Sequence, residues 1–264
     1  MELDANCELI LEDLTGQVNV TENCSAYTIE QLPAVGTVIT GVGVTPIQMI
    51  VTDAAGNSSS CSFNLSTIDI TAPVIVCSPD TTISVECGPA DVTLTPPVAT
   101  DCGGSVTITS DYSGNSFPVG STQVTWTATD QYGNSSSCVQ VVHVISPEID
   151  VFGNGFEIAT RTRNTSFSSG TNFGNVSECN ASVTNTFVIE NNGTDTLFLT
   201  GLPIIQVVGV HAQNYSVVQP NESFILPGDQ LSFDVTFDPV SPGNKIARIR
   251  IGNNDCNDHH MSSR

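Results

Sequence analysis

An eleven-residue string, Val51-Thr-Asp53-Ala-Ala-Gly56-Asn57-Ser-Ser-Ser-Cys61, returns 77 residues later as Ala128-Thr-Asp130-Gln-Tyr-Gly133-Asn134-Ser-Ser-Ser-Cys138. Upstream, Ile39-Thr-Gly-Val-Gly43 and Phe117-Pro-Val-Gly120 occupy matching positions. A chain that repeats itself at this interval must fold the same small unit twice. The expected copies are residues 1–68 and 69–146. The first break falls near Ser66-Thr-Ile-Asp69-Ile-Thr-Ala-Pro73, where the proline stiffens the junction. The second falls near Val144-Ile-Ser-Pro147, and residues 147–264 form a third unit of different character, with nine of the eleven Phe and all the basic residues.

The local pattern is that of strands. Val124, Trp126 and Ala128 alternate with Thr125, Thr127 and Thr129. Leu231, Phe233, Val235 and Phe237 alternate with polar residues, as do Ala247, Ile249 and Ile251 with Arg248 and Arg250. Period-two alternation describes antiparallel strands with one wet face. Asn191-Asn192-Gly193 and Pro227-Gly228-Asp229 supply turns. Helical periodicity is nearly absent. The expected fold is all-β, three tandem immunoglobulin-like β-sandwich domains forming an elongated rod.

Charge narrows the function. Residues 1–160 hold 18 Asp+Glu and no Lys or Arg, and the whole chain sums to −21. Such a surface repels phosphate backbones and anionic lipid, so no nucleic-acid partner and no direct membrane insertion are expected. No apolar run is long enough to cross a bilayer. Met1 is followed by Glu2-Leu3-Asp4, not by a basic stretch and an apolar one, so the chain reads as a segment of something longer. The nine cysteines form neither CxxC pairs nor zinc spacing with histidine. They point to disulfides, and so to an extracellular or cell-surface location.

Several motifs together resemble the HYR (hyalin repeat) domain, an immunoglobulin-like extracellular module. They are Asp69-x-x-x-Pro73, Val76-Cys77-Ser78-Pro79, Pro97-x-x-x-Asp101-Cys102, Phe117-Pro-Val-Gly120 and Ala128-Thr-Asp130-x-x-Gly133-Asn134, closing with Cys138. Residues 1–68 look like a shortened copy, lacking between Tyr27 and Gln31 the segment that carries the Asp-Cys pair. The third unit is similar to the bacterial choice-of-anchor D module, related to the ASH-type immunoglobulin-like fold. Its matching positions are Pro147-Glu-Ile-Asp150-Val151-Phe-Gly-Asn-Gly155, Thr171-Asn-Phe-Gly174, Thr186-Phe187, Ile189-Glu-Asn-Asn-Gly193, Phe233-x-Val-x-Phe-Asp-Pro239 and Ile251-Gly-Asn-Asn-Asp255. Its terminal Asn257–Arg264 does not look like the family's last strand, and an open edge there would accept a strand from a neighbour. The combination resembles large secreted surface proteins of Bacteroidota-like bacteria.

Cys77, Cys87, Cys102 and Cys138 make an even set with three pairings open on spacing alone. The resemblance implies Cys77–Cys138 and Cys87–Cys102, with Cys7–Cys61 as the counterpart of the long bridge. Cys179 and Cys256 are then expected to pair within the third unit, and Cys24 is left as a free or intermolecular thiol. Calcium is the one cofactor expected. Asp53 and Asn57, and Asp130 and Asn134, place oxygen ligands on turns, and Asp69 and Asp150 sit in the linkers that follow; a junction site would stiffen the rod. The alternative is that Asp and Asn cap their own turns.

Catalysis has no motif. His143 alternates with Val142 and Val144 on a strand, and no nucleophile elbow or paired carboxylates appear. Trp126, the only Trp, belongs to a core. The expected function is a non-catalytic structural or adhesive module of a bacterial surface fibre or large adhesin. Its partners would be other copies, neighbouring domains, or surface glycans and proteins. The alternative is a carbohydrate- or protein-binding accessory module of a secreted enzyme.

Overall fold

The computed structural model describes residues 1–21, 26–102, 104–159, 163–176 and 181–256, and the backbone of 259–263. Among them there is no α-helix, only strands and two short 3-10 turns, Thr15–Gln17 and Ala212–Asn214. The described residues gather into two compact units. One comprises Met1–Pro79, Leu94–Gly114 and Gln123–Gln140; the other comprises Asp80–Thr93, Asn115–Thr122 and Val141–Arg264. Residues of the second repeat thus contribute to both.

In the first unit, Tyr27–Leu32, Gly43–Asp53 and Ser58–Thr67 form an antiparallel sheet with Gly43–Asp53 in the centre. Glu8–Ile10 pairs with Val38–Thr40. Between these layers Leu11, Leu14, Ile47, Met49 and Leu65 form a core, with Leu9, Val18, Ile29 and Ile39 packed around it. Gln31 is buried there with both ends of its amide used: Oε1 accepts from Leu14 N at 2.8 Å, and Nε2 donates to Glu12 O at 3.0 Å. A buried amide is tolerated because it is satisfied, and this one pins the turn at Leu14 to the sheet.

The chain start is also tied down. Leu3 N donates to Ile68 O, and Ile68 N to Met1 O, both at 3.0 Å. This lays the first residues parallel to the end of the same repeat, with Glu2 bridged to Ile68. In the second repeat, Thr107–Ser110 pairs with Gly120–Thr129 from Thr107↔Thr129 to Ser110↔Trp126. Trp126 is buried as its alternation required; its Nε1 donates to Gln140 Oε1 at 3.1 Å.

The second unit is built on a five-stranded antiparallel sheet in the order Phe156–Glu157, Ile149–Gly153, Val183–Asn191, Gln230–Phe237, Tyr215–Val218. The alternating apolar residues Phe187, Ile189, Phe233, Val235 and Phe237 face inward against Ile205, Ile249 and Ile251 from a second sheet. Phe187 stacks on Phe233 with centroids 5.5 Å apart, and Tyr215 on Phe237 at 4.8 Å. Phe173, Phe187, Phe233 and Phe237 are therefore core, whereas Phe156, Phe167, Phe198 and Phe224 are exposed. Thr81–Ser84 runs parallel to Val142–Ile145, and Ala90–Asp91 pairs with Ser116–Phe117.

One expectation needs correcting. The tail does supply a strand: His259–Ser263 pairs antiparallel with Ala247–Ile251 from Ile251↔His259 to Ala247↔Ser263. A ladder is made by backbone N–H and C=O groups, so a tail without a strand-like side-chain pattern can still cover that edge. Ala247–Ile251 is thereby flanked on both sides, by Ile205–Val208 and by the tail.

Candidate functional site

The repeated Asp-x-x-Gly-Asn string is first of all a self-closing turn. Asp53 Oδ1 accepts from Ala55 N and Asn57 N, both at 2.9 Å, and Oδ2 accepts from Asn57 Nδ2 at 2.8 Å. Asp130 does the same with Tyr132 N, Asn134 N and Asn134 Nδ2 at 2.8, 2.8 and 2.7 Å. Gly56 and Gly133 sit at φ +88° and +93°, where a side chain would be strained. These bonds stabilise the ionised carboxylates. The Asn57 side chain, followed by its backbone N–H, holds Asp53 below the usual aspartate range. At Asp130 burial pushes upward, but the donors from Asn134, Tyr132 and Gly133 together outweigh it and the net shift is downward.

What sets the second copy apart is its company. Carboxylate oxygens of Asp69, Asp101 and Asp130 all lie within 4.8 Å of one another. Asp69 and Asp130 are buried, and Asp101 is half-buried. Asn134 Nδ2 also reaches Asp69 O at 3.3 Å. Asp69 Oδ1 accepts from Thr71 N at 2.9 Å and Thr71 Oγ1 at 2.7 Å. The arrangement differs from the expected one. Asp69 meets Asp130 and Asp101, whereas Asp53 and Asn57 are bonded to each other. Asp150 Oδ2 accepts from Asn192 Nδ2 at 2.8 Å. Asp101 is the member of this carboxylate cluster that sequence reasoning missed, although it stands in the quoted Asp101-Cys102 pair.

Chemically, three converging carboxylates offer hard oxygen donors, the set that divalent calcium selects. Asp69 also groups with Cys7 and Cys102. Those two sulfurs are joined to each other, so no thiolate is offered to a metal.

Two disulfides form among the described residues, and one of them, Cys7–Cys102, borders this site. Cys77–Cys138 has the expected pairing, with Cα atoms 5.8 Å apart. Cys7 is joined to Cys102, Cα–Cα 5.2 Å, so both Cys7–Cys61 and Cys87–Cys102 are corrected. The reason is the parallel clasp of Met1–Leu3 against Ile68, which delivers the following turn to the start of the second repeat. Cys7 lies in that turn, buried, at φ +58°, its N–H bonded to Asp4 O at 2.9 Å. Cys61, Cys87 and Cys256 are exposed thiols. Cys24 and Cys179 lie outside the described residues, and the expected Cys179–Cys256 pair with them. Loop entropy gives each observed bridge about 4–5 kcal/mol for closures of 95 and 61 residues. The loops share residues 77–102, so the joint effect is smaller than the sum.

The chain is 35% identical over 140 residues to Hyalin of Strongylocentrotus purpuratus, a match covering 50% of this chain and 11% of that protein. It is 35% identical over 107 residues to the Sushi, von Willebrand factor type A, EGF and pentraxin domain-containing protein 1 of Rattus norvegicus, covering 39% of this chain and 3% of that one. The chain thus spans only a small part of these relatives. Among solved structures, mouse cadherin-23 EC22-24 is similar with a TM-score of 0.43 and 12% identity, over 90% of this chain and 83% of that one. The model of the HYR domain family matches residues 68–144 of the chain.

Proposed function

We propose that the chain is a non-catalytic structural and adhesive module, displayed outside the cell as part of a bacterial surface fibre or large adhesin. In this reading the three sequence units, residues 1–68, 69–146 and 147–264, follow one another as β-sandwiches and space a surface structure. The observation that carries it is the Cys7–Cys102 bridge. A covalent bond between one repeat and the next serves a molecule under tension or protease attack. Residues 1–160 also offer no Lys or Arg for trypsin-like enzymes. Binding partners would be further copies of such modules, or glycans and proteins of the opposing surface.

Asp69, Asp101 and Asp130 would hold a calcium ion, with water and main-chain oxygens completing the six to eight ligands it takes. The 18 uncompensated carboxylates of residues 1–160 favour counter-ion uptake. Cells displaying the chain should be retained under shear flow on a layer of like cells or matrix. Retention no greater than for undecorated cells, with or without calcium, overturns the adhesive reading. Calorimetry with calcium chloride should detect a site that Asp101→Asn weakens at least about tenfold, the effect of removing one charged ligand from a hard-cation site.

A further inference from the structure

We propose that Cys87 and Cys256 are a third disulfide in waiting, the counterpart at the second repeat of the Cys7–Cys102 bridge at the first. The two exposed thiols stand close enough to act on each other directly. Independent hydrogen bonds place their flanking segments side by side. Val85 N donates to Ile145 O at 2.9 Å, while Asp255 Oδ2 accepts from Ile149 N at 3.2 Å, so both cysteine-bearing segments are tied to residues 145–149. Ser84 Oγ donates to Asp195 Oδ2, and Asn254 Nδ2 to Thr196 O at 3.2 Å, a second tie through neighbouring residues.

The internal repeat makes the same assignment. The Val85 N to Ile145 O bond has its equal in Leu3 N to Ile68 O at 3.0 Å. The Ser84↔Ile145 parallel pair has its equal in the Glu2↔Ile68 bridge. Downstream, Ala90–Asp91 pairs with Ser116–Phe117 as Glu8–Ile10 pairs with Val38–Thr40. Cys87 therefore stands where Cys7 stands, between the parallel clasp and the next strand. The partner of Cys7 follows an aspartate in the pair Asp101-Cys102, and Cys256 follows one in Asp255-Cys256. Asp255 is buried, as Asp69 and Asp130 are beside Cys102.

Closure needs an oxidant, here a small-molecule or protein disulfide such as glutathione disulfide. The Cys87 thiolate attacks one of its sulfurs; the oxidant's S–S bond breaks, a mixed disulfide forms, and one reduced thiol leaves with a proton. Cys256 then attacks Cys87 Sγ. The mixed S–S bond breaks, the Cys87–Cys256 bond forms, and the second reduced thiol leaves. Two cysteine thiols are oxidised and one disulfide is reduced to two thiols. The Cys256 thiol is pushed up to about 12, first by its hydrogen bond to Cys87, then by burial and by the charges of Cys87 and Asp255. Once Cys87 is held in the mixed disulfide that partner is gone, and Cys256 gives its proton to the departing sulfur of the oxidant and attacks as the thiolate.

The test uses the purified full chain. After incubation with glutathione disulfide, remaining thiols are capped with N-ethylmaleimide in denaturant, the chain is cut with pepsin, and the peptides are mapped by mass spectrometry. Capping should be lost at Cys87 and Cys256 together while Cys61 stays capped, and a linked peptide pair should contain both. In Cys87→Ser, capping at Cys256 should return. Cys87 or Cys256 linked to any other cysteine, or both still capped, overturns the assignment. Neither outcome bears on the adhesive reading, which the flow assay tests separately.

Discussion

Stretching single molecules from both ends reads the bridge connectivity as a length. The Cys256→Ala variant keeps the third bridge out of the measurement. Fully reduced, the backbone between Cys7 and Cys138 extends to roughly 460 Å at about 3.5 Å per residue. Oxidised, the taut path crosses from Cys7 to Cys102, runs back about 25 residues to Cys77, and crosses again to Cys138. That path is roughly 100 Å, including the two Cα–Cα spans of 5.2 and 5.8 Å. Adding a reductant should therefore lengthen the unfolded molecule by about 360 Å. Cys77–Cys138 alone would release only about 210 Å, and bridges confined within each repeat, Cys7–Cys61 beside Cys77–Cys138, about 390 Å. Optical-tweezers records in matched oxidised and reduced buffer separate these values. A gain near either alternative refutes the connectivity, and with it the argument that the parallel clasp carries Cys7 to the second repeat.

Other perturbations test other links. Asp13, Asp53 and Asp130 titrate below the ordinary aspartate value of 3.8 in the folded chain, so the stability they contribute is present above that pH and lost as pH falls below it. Thermal melts between pH 7 and pH 3 should show that decline, and Asp53→Asn should flatten it; an unchanged acid limb refutes the turn's role. Trp126→Phe leaves the buried Gln140 Oε1 without its donor and should lower the unfolding free energy by about 1–3 kcal/mol in urea titration. Gly193→Ala would drive a methyl group to 2.4 Å from Ser146 O and 2.5 Å from Glu148 N. Because backbone cannot yield as a side chain does, a loss of about 1–3 kcal/mol is expected, and a neutral result would place that approach elsewhere.

Alternation in the sequence was enough to identify strands and their buried faces. Trp126, Phe187, Phe233 and Val235 point where a period of two sends them. The Asp-x-x-Gly-Asn turn was legible too, because its hydrogen bonds are local and its glycine announces the left-handed residue. Long-range pairings were not. Cysteine spacing says how many bridges can form, not which strands bring sulfurs together, and the assumption that each repeat closes on itself assigned Cys7 and Cys102 to the wrong partners. The acid cluster escaped for a related reason: Asp69, Asp101 and Asp130 stand far apart along the chain, and only the folded second repeat collects them. The tail strand was invisible because a ladder at an edge asks little of its side chains.

The parallel register of Thr81–Ser84 against Val142–Ile145 has a mechanical corollary. These segments lie near the entrance and the exit of one repeat, and they run the same way. With the bridges reduced, a pull on the two ends drags the segments past each other along their length, and the rungs between them must give way at once, where an antiparallel hairpin pulled at its open end would peel one rung at a time. With Cys77 joined to Cys138, the tension crosses that bond and the clasp is spared the shear, so the sulfur bridge and the parallel ladder guard the same stretch of chain in turn.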